Sequence, residues 1–289
     1  MNHSIDIREE AGVRTLHFGS EWVQGAMRIA RPWNLELDYT KDMMASLLLR
    51  EGGGIAAGHP PAYSSRVLRE GGGVTAGHPP AYSSRVQRNE SRFPRKVLLI
   101  GLGAASLTKF LYRHYPLAKL TVVEIEPRVI AAARQFFKLP DDPLRLNIVV
   151  GDGAEYVVAN EKSWDLILVD GFDADARPGG LDTLPFYIAC RSRLGANGIL
   201  AVNLFGRSRG FKASMERINN AFDERALAFP SCDSGNVIAF ASTGNAVHID
   251  MDELHDNALE LKQNTGLNLL PTLARLQQAH TCKGGILIL

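Results

Sequence analysis

Hydrophobic and polar positions change their period twice along this chain. Residues 4–19 (SIDIREEAGVRTLHFG) and 21–30 (EWVQGAMRIA) alternate over short stretches with glycine at the turns, which predicts strands. Residues 38–49 (DYTKDMMASLLL) place Met43, Met44, Leu47 and Leu48 on one helical face. From residue 96 the pattern becomes short continuous apolar runs separated by amphipathic segments. The runs are KVLLIGLG (96–103), KLTVVEIE (119–126), LNIVVGDG (146–153), DLILVDGF (165–172) and GILAVNLFG (198–206). Between them lie the helical segments SLTKFLYRHY, PRVIAAARQFF (Pro127 in its first turn), AEYVVAN, LPFYIACRSRL and FKASMERINNAF. ALAFPS and NVIAFAST (236–243) predict a closing hairpin. Strands that are apolar throughout and alternate with helices predict a sheet buried on both faces. The expected class is therefore α/β: a doubly wound, seven-stranded, mostly parallel sheet preceded by a small N-terminal β-domain. The tail DELHDNALELKQNTG…LLPTLARLQQ is helical and ends in GGILIL, either a strand or a subunit contact.

One segment fits neither period. Residues 50–68 (REGGGIAAGHPPAYSSRVL) recur as 69–87 (REGGGVTAGHPPAYSSRVQ), differing only at Ile55/Val74, Ala56/Thr75 and Leu68/Gln87. Two copies with so little to bury do not make a solenoid, which stacks apolar faces. The composition reads as a duplicated linker in a surface loop, or as a flap over a site. Its His59 and His78 lack the acidic neighbours of a metal site. The expected organisation is an N-terminal β-hairpin domain with connecting helix (1–49), a Gly/Pro-rich linker (50–92) and a catalytic domain with helical tail (93–289).

Composition narrows the function classes. The formal charge is +1, with 32 Lys and Arg against 31 Asp and Glu. The repeat carries Arg50, Arg66, Arg69 and Arg85 against Glu51 and Glu70, so the rest is faintly acidic. Neither nucleic acid nor a membrane surface is an expected partner. No apolar run reaches the roughly 18–20 residues of a membrane span. Cys190, Cys232 and Cys282 lack metal-ligand spacing, and the start lacks a signal-peptide pattern, so a cytoplasmic location is expected.

Candidate chemistry gathers at the strand ends, where such sheets bind ligands. Gly101-Leu102-Gly103 opens a helix and lets backbone amides approach a ligand, although a GxG alone also serves as a tight turn. Glu124, ending the next strand, has the place of a carboxylate that accepts two ribose hydroxyls. Glu126, before Pro127, better fits a helix cap. Gly151-Asp152-Gly153 ends the third strand; Asp152 can accept from an adenine amino group, and Gly153 leaves room for a ring. Asp170, Asp173 and Asp175 crowd the fourth strand end, a repulsive arrangement unless a cation such as a polyamine or sulfonium binds between them.

The run VLLIGLGAASL…TVVEIEPRV…VVGDGAEYV…WDLILVDGFDAD…LPFY resembles the spermidine synthase (polyamine aminopropyltransferase) family, over about residues 4–49 and 93–243. The resemblance implies a class I S-adenosylmethionine-dependent methyltransferase-like fold. It also implies transfer of an aminopropyl group from decarboxylated S-adenosylmethionine to putrescine or a related amine, with no metal. By carry-over, Glu124 holds the ribose and Asp152 the adenine; Gly101, Gly103 and Gly153 are the further cofactor-binding candidates at these strand ends. Asp170 matches the catalytic aspartate of the D-x-x-D motif, Asp173 its amine-binding partner, and Gln24 a glutamine near the active site. Family members are commonly dimeric or larger through the front domain, so a homodimer is expected.

Three positions depart from the family pattern. Ala104 stands where an aspartate holds the aminopropyl ammonium. Thr40 stands at the aromatic of the Tyr-x-Glu-Met stretch, and Phe229 replaces a tyrosine preceding a proline. Each removes a polar contact to the amines and leaves the adenosine contacts intact. A methyltransferase using intact S-adenosylmethionine, or a non-catalytic binder of adenosine compounds or polyamines, would share Glu124 and Asp152.

Overall fold

A computed structural model describes residues 4–19, 21–50, 93–172, 177–206, 210–232, 235–282 and 284–289. Asp173, Asp175, His59, His78 and, apart from Arg50, the repeat lie outside the described residues. Three antiparallel strands open the chain: β1 (Ile5–Glu10), β2 (Val13–Phe18) and β3 (Val23–Arg28). Helix α1 (Asp38–Met43) runs into a tighter turn over Met44–Leu48. Then β4 (Lys96–Ile100), α2 (Ser106–His114), β5 (Lys119–Glu124), α3 (Pro127–Phe136), β6 (Leu146–Val150), α4 (Gly153–Ala159) and β7 (Trp164–Val169) alternate. Next come α5 (Leu184–Arg193), β8 (Leu194–Phe205), α6 (Phe211–Ala221), β9 (Ala226–Ala228) and β10 (Asn236–Ser242). The chain ends with β11 (His248–Asp250), α7 (Met251–Thr265), α8 (Leu270–Gln278) and β12 (Ile286–Ile288).

The central sheet has seven strands in the order β6-β5-β4-β7-β8-β10-β9. Strands β4 to β8 are parallel to their neighbours; β10 runs antiparallel to both β8 and β9. Alternation along each strand assigns the faces. Val97, Leu99, Val122, Leu166 and Leu168 enter a core under α1, α2, α3, α7 and α8; Leu98, Ile100, Val123, Ile167 and Val169 enter a second core under α4, α5 and α6. Each fully buried aliphatic side chain contributes roughly 1.5–3 kcal/mol. The first core also takes Leu16 and Met27, which fastens the N-terminal sheet to the larger one. GGILIL contributes β12, which pairs with β11. Strand β8 begins at Leu194, four residues before the apolar run, because Leu194 pairs with Trp164 ahead of a register shift.

Candidate active site

Strand order reverses between β4 and β7, each leading away in the opposite direction, and the crevice above such a reversal is where open α/β sheets bind ligands. A cavity of about 580 Å³ opens there. Its walls come from the loop after β4, the ends of β5 to β8, the start of β10, and β3 with the first turn of α1. Of the residues predicted from sequence, Gln24, Gly101, Gly103, Glu124, Asp152, Gly153 and Asp170 all line it. Asp173 falls outside the described residues.

The glycine loop is shaped by close backbone approach. Gly101 has φ +92°, and a Cβ there would lie 2.1 Å from the Asp170 carbonyl oxygen. Gly103 (φ +50°) faces the Gln24 carbonyl, and Gly25 is pressed on Ala104 so tightly that a Cβ would lie 2.6 Å from the Ala104 Cβ. Thus β3 seals one side of the loop, with Gly25 against Ala104. Gly153 lines the cavity, and a Cβ there would meet Ile100 Cγ2 at 2.3 Å, so the absent side chain also admits Ile100.

Two carboxylates are pre-oriented by main-chain amides. Glu124 is buried, its Oε2 accepting from the Leu102 N–H (2.8 Å) and its Oε1 from that of Glu126 (2.9 Å). Burial pushes its carboxyl up, against the pull of those amides. Asp152 caps α4, its Oδ1 accepting from Ala154 and Glu155. Glu126 caps α3 and is clamped by Arg128, whose hydrogen bonds hold its carboxyl down at about 2. Ile125, absent from the sequence-based candidates, lies 65 % exposed between these carboxylates and offers the cavity an apolar face. The far wall, Pro178–Leu181, is tied down by Asp182, which accepts from Tyr187 (2.9 Å), Ser214 (2.8 Å) and Arg217 (2.5 Å).

Asp170 lies at the centre, half-buried, with both carboxylate oxygens engaged. Asn203 Nδ2 donates to Oδ1 at 2.8 Å, and the Tyr39 hydroxyl donates to Oδ2 at 3.2 Å. Burial pushes its carboxyl up while those two donors pull it down. Tyr39 corrects the reading of Thr40 as a lost aromatic. The Thr40 hydroxyl is spent on the Leu37 carbonyl at 2.6 Å, and the phenol reaches the site from the preceding residue. Phe229 is a second correction: it packs on Phe240 (4.5 Å between centroids) in the core and does not line the cavity. Sequence reasoning also missed Asn203 and the aromatic wall of Trp22, Phe172 and Phe205. The asparagine inside an apolar strand was the signal available for the first.

The spermine/spermidine synthase domain matches residues 83–225. A polyamine aminopropyltransferase of Chromobacterium violaceum is 30% identical over 285 residues, covering 99% of this chain and 94% of that one. The chain belongs to the spermidine synthase family. A solved spermidine synthase in complex with the transition state analogue AdoDATO superimposes with a TM-score of 0.52 at 23% identity, over 84% of this chain and 75% of the other. Human methyltransferase-like protein 13 in complex with SAH gives a TM-score of 0.61 at 20% identity, over 80% and 93%. These two likenesses concern the fold: the spermidine synthase family is built on the methyltransferase-like sheet. Within that family frame, Tyr39 and Asn203 add two hydrogen-bonding groups to the motif-derived Asp170.

Proposed function

We propose that this chain transfers an aminopropyl group from decarboxylated S-adenosylmethionine to putrescine or a related aliphatic amine, releasing methylthioadenosine. The observation that carries the reading is the held Asp170 carboxylate at the sheet's switch point, beside a nucleoside-sized cleft. Glu124 would accept the ribose hydroxyls through the lone pairs its backbone partners leave open. Asp152 Oδ2 would accept from the adenine amino group, with Ile125 against the ring. The aromatic wall from Trp22 to Phe172 suits methylene chains of the amines, and Asp173 is proposed as the group that binds the acceptor's distal cation.

The step is a displacement. The amine nitrogen forms a bond to the propyl carbon beside the sulfonium; the C–S bond breaks, and its electron pair stays on sulfur as a neutral thioether. The amine's surplus proton passes to Asp170 or through it to solvent. General-base help is typically worth about 10²- to 10⁴-fold, and alignment of the two reactants contributes further. Asp170→Asn is expected to lose roughly that factor in turnover while still binding methylthioadenosine in calorimetry. Near-wild-type turnover would sink the assignment. Mass analysis with decarboxylated and intact S-adenosylmethionine tests the donor: an aminopropylated amine supports the proposal, and a methylated product overturns it.

A further inference from the structure

Asn203 has its own partner. Asn236 Nδ2 donates to Asn203 Oδ1 at 2.9 Å, while Asn203 Nδ2 donates to Asp170. Both asparagines are buried, 5 % and 8 % exposed. Their placement follows from the register: Asn236 pairs with Phe205 across β8 and β10, so Asn203 is its diagonal neighbour on the same face. Hydrogen bonds therefore run in one direction, from Asn236 to Asn203 to Asp170.

Direction matters because an amide can present either end. An ionised carboxylate only accepts, so Asn203 supports it only with its N–H turned inward. We infer that Asn236 is a positioning residue for Asp170: by donating to the Asn203 carbonyl oxygen, it keeps the Asn203 N–H aimed at the carboxylate. This inference rests on the reading of Asp170 as the group that takes the amine's proton. Among the described residues, Asn236 is the group hydrogen-bonded to the Asn203 oxygen. Tyr39 from α1 reaches the opposite oxygen, and the other charged groups lining the cavity are Glu36, Asp38, Glu124, Asp152 and Arg177. Cys232, before β10, donates to the Asn236 carbonyl oxygen at 3.7 Å.

Asn236→Leu removes the donor at similar volume. The Asn203 oxygen then has no N–H from position 236, its amide turns more freely, and the Asp170 carboxylate keeps its proton to higher pH. The expected result is a kcat lowered about tenfold, with the acidic limb of the kcat–pH profile raised by about half a unit to one unit. Methylthioadenosine affinity stays unchanged, because Glu124 and Asp152 are untouched. Asn236→Ser, whose hydroxyl can still donate, is expected to return the limb toward wild type. An acidic limb that stays in place in Asn236→Leu, whatever happens to Tm, overturns the inference. If the leucine variant does not fold, Asn236→Ala is read against the same criterion. Asp170→Asn is measured alongside: its retained turnover would overturn the parent reading, whereas an inactive Asp170→Asn with an unmoved limb in Asn236→Leu overturns the positioning role alone.

Discussion

In the proposed reaction Asp170 must be ionised to help an amine and shielded from water, and these requirements conflict. Burial disfavours the charged carboxylate; hydrogen-bond donors restore it. Asn203 and Tyr39 each supply one donor to a different oxygen, so the side chain is held in plane and charged at once. Tyr39→Phe deletes the Oδ2 donor and nothing else of size. A hydrogen bond to a charged group is worth about 1.5–3 kcal/mol, so kcat is expected to fall between roughly tenfold and a hundredfold. The sign of the pH effect follows: losing a donor to the ionised form raises the Asp170 pKa, so activity requires higher pH. A kcat–pH profile whose acidic limb does not rise would show that Tyr39 does not tune this carboxylate.

At the scale of elements, the site depends on strand ends that nearly touch. Gly25 of β3 lies on Ala104, and Gly101 lies on the Asp170 backbone. Gly25→Ala places its Cβ against both the Ala104 Cβ and the Ala104 nitrogen, each at 2.6 Å. Overpacking of this kind costs about 1–3 kcal/mol, and here the strain falls on the loop that frames the cavity. The variant is expected to lose at least about tenfold in kcat/KM alongside a lowered Tm, and Ala104→Gly in the same chain should recover part of both. Equal activity of Gly25→Ala and wild type would show that the contact is slack. These packing relations explain what could be read beforehand. The strand runs were legible because five of them are dominated by Val, Ile and Leu, and Asp170, Glu124 and Asp152 were legible because they end such runs. Tyr39 was not, because neighbouring positions on a helix differ by about 100° in direction, and only the orientation of α1 decides that residue 39 meets β7. Gly153 was legible as a glycine but not as a partner of Ile100, since that contact joins two separate βα units.

On the scale of the whole molecule, Lys109 is a cation that the fold buries at a cost. Lys109, on α2, is 1 % exposed; its backbone N–H donates to the Ala105 carbonyl (2.8 Å), but among the described residues no carboxylate is paired with its ammonium. Burial, with Lys138 adding repulsion, lowers its pKa to about 7 from an ordinary 10.5. Between those two values the unfolded chain holds a proton that the folded chain sheds. Stability therefore climbs as pH rises from about 7 toward 10.5, and is lost as pH falls back through that window. At neutral pH the fold thus bears most of this penalty. Lys109→Met keeps the unbranched stem and removes the titration. It is expected to raise Tm at pH 7, by roughly 2–4 °C for each kcal/mol recovered, and to flatten the dependence of Tm on pH above neutrality. Calorimetric melts of both chains from pH 7 to 9.5 decide the matter. A wild-type chain that matches the methionine variant's pH slope would place the ammonium in water, whereas converging melts at the alkaline end identify it as a buried neutral amine.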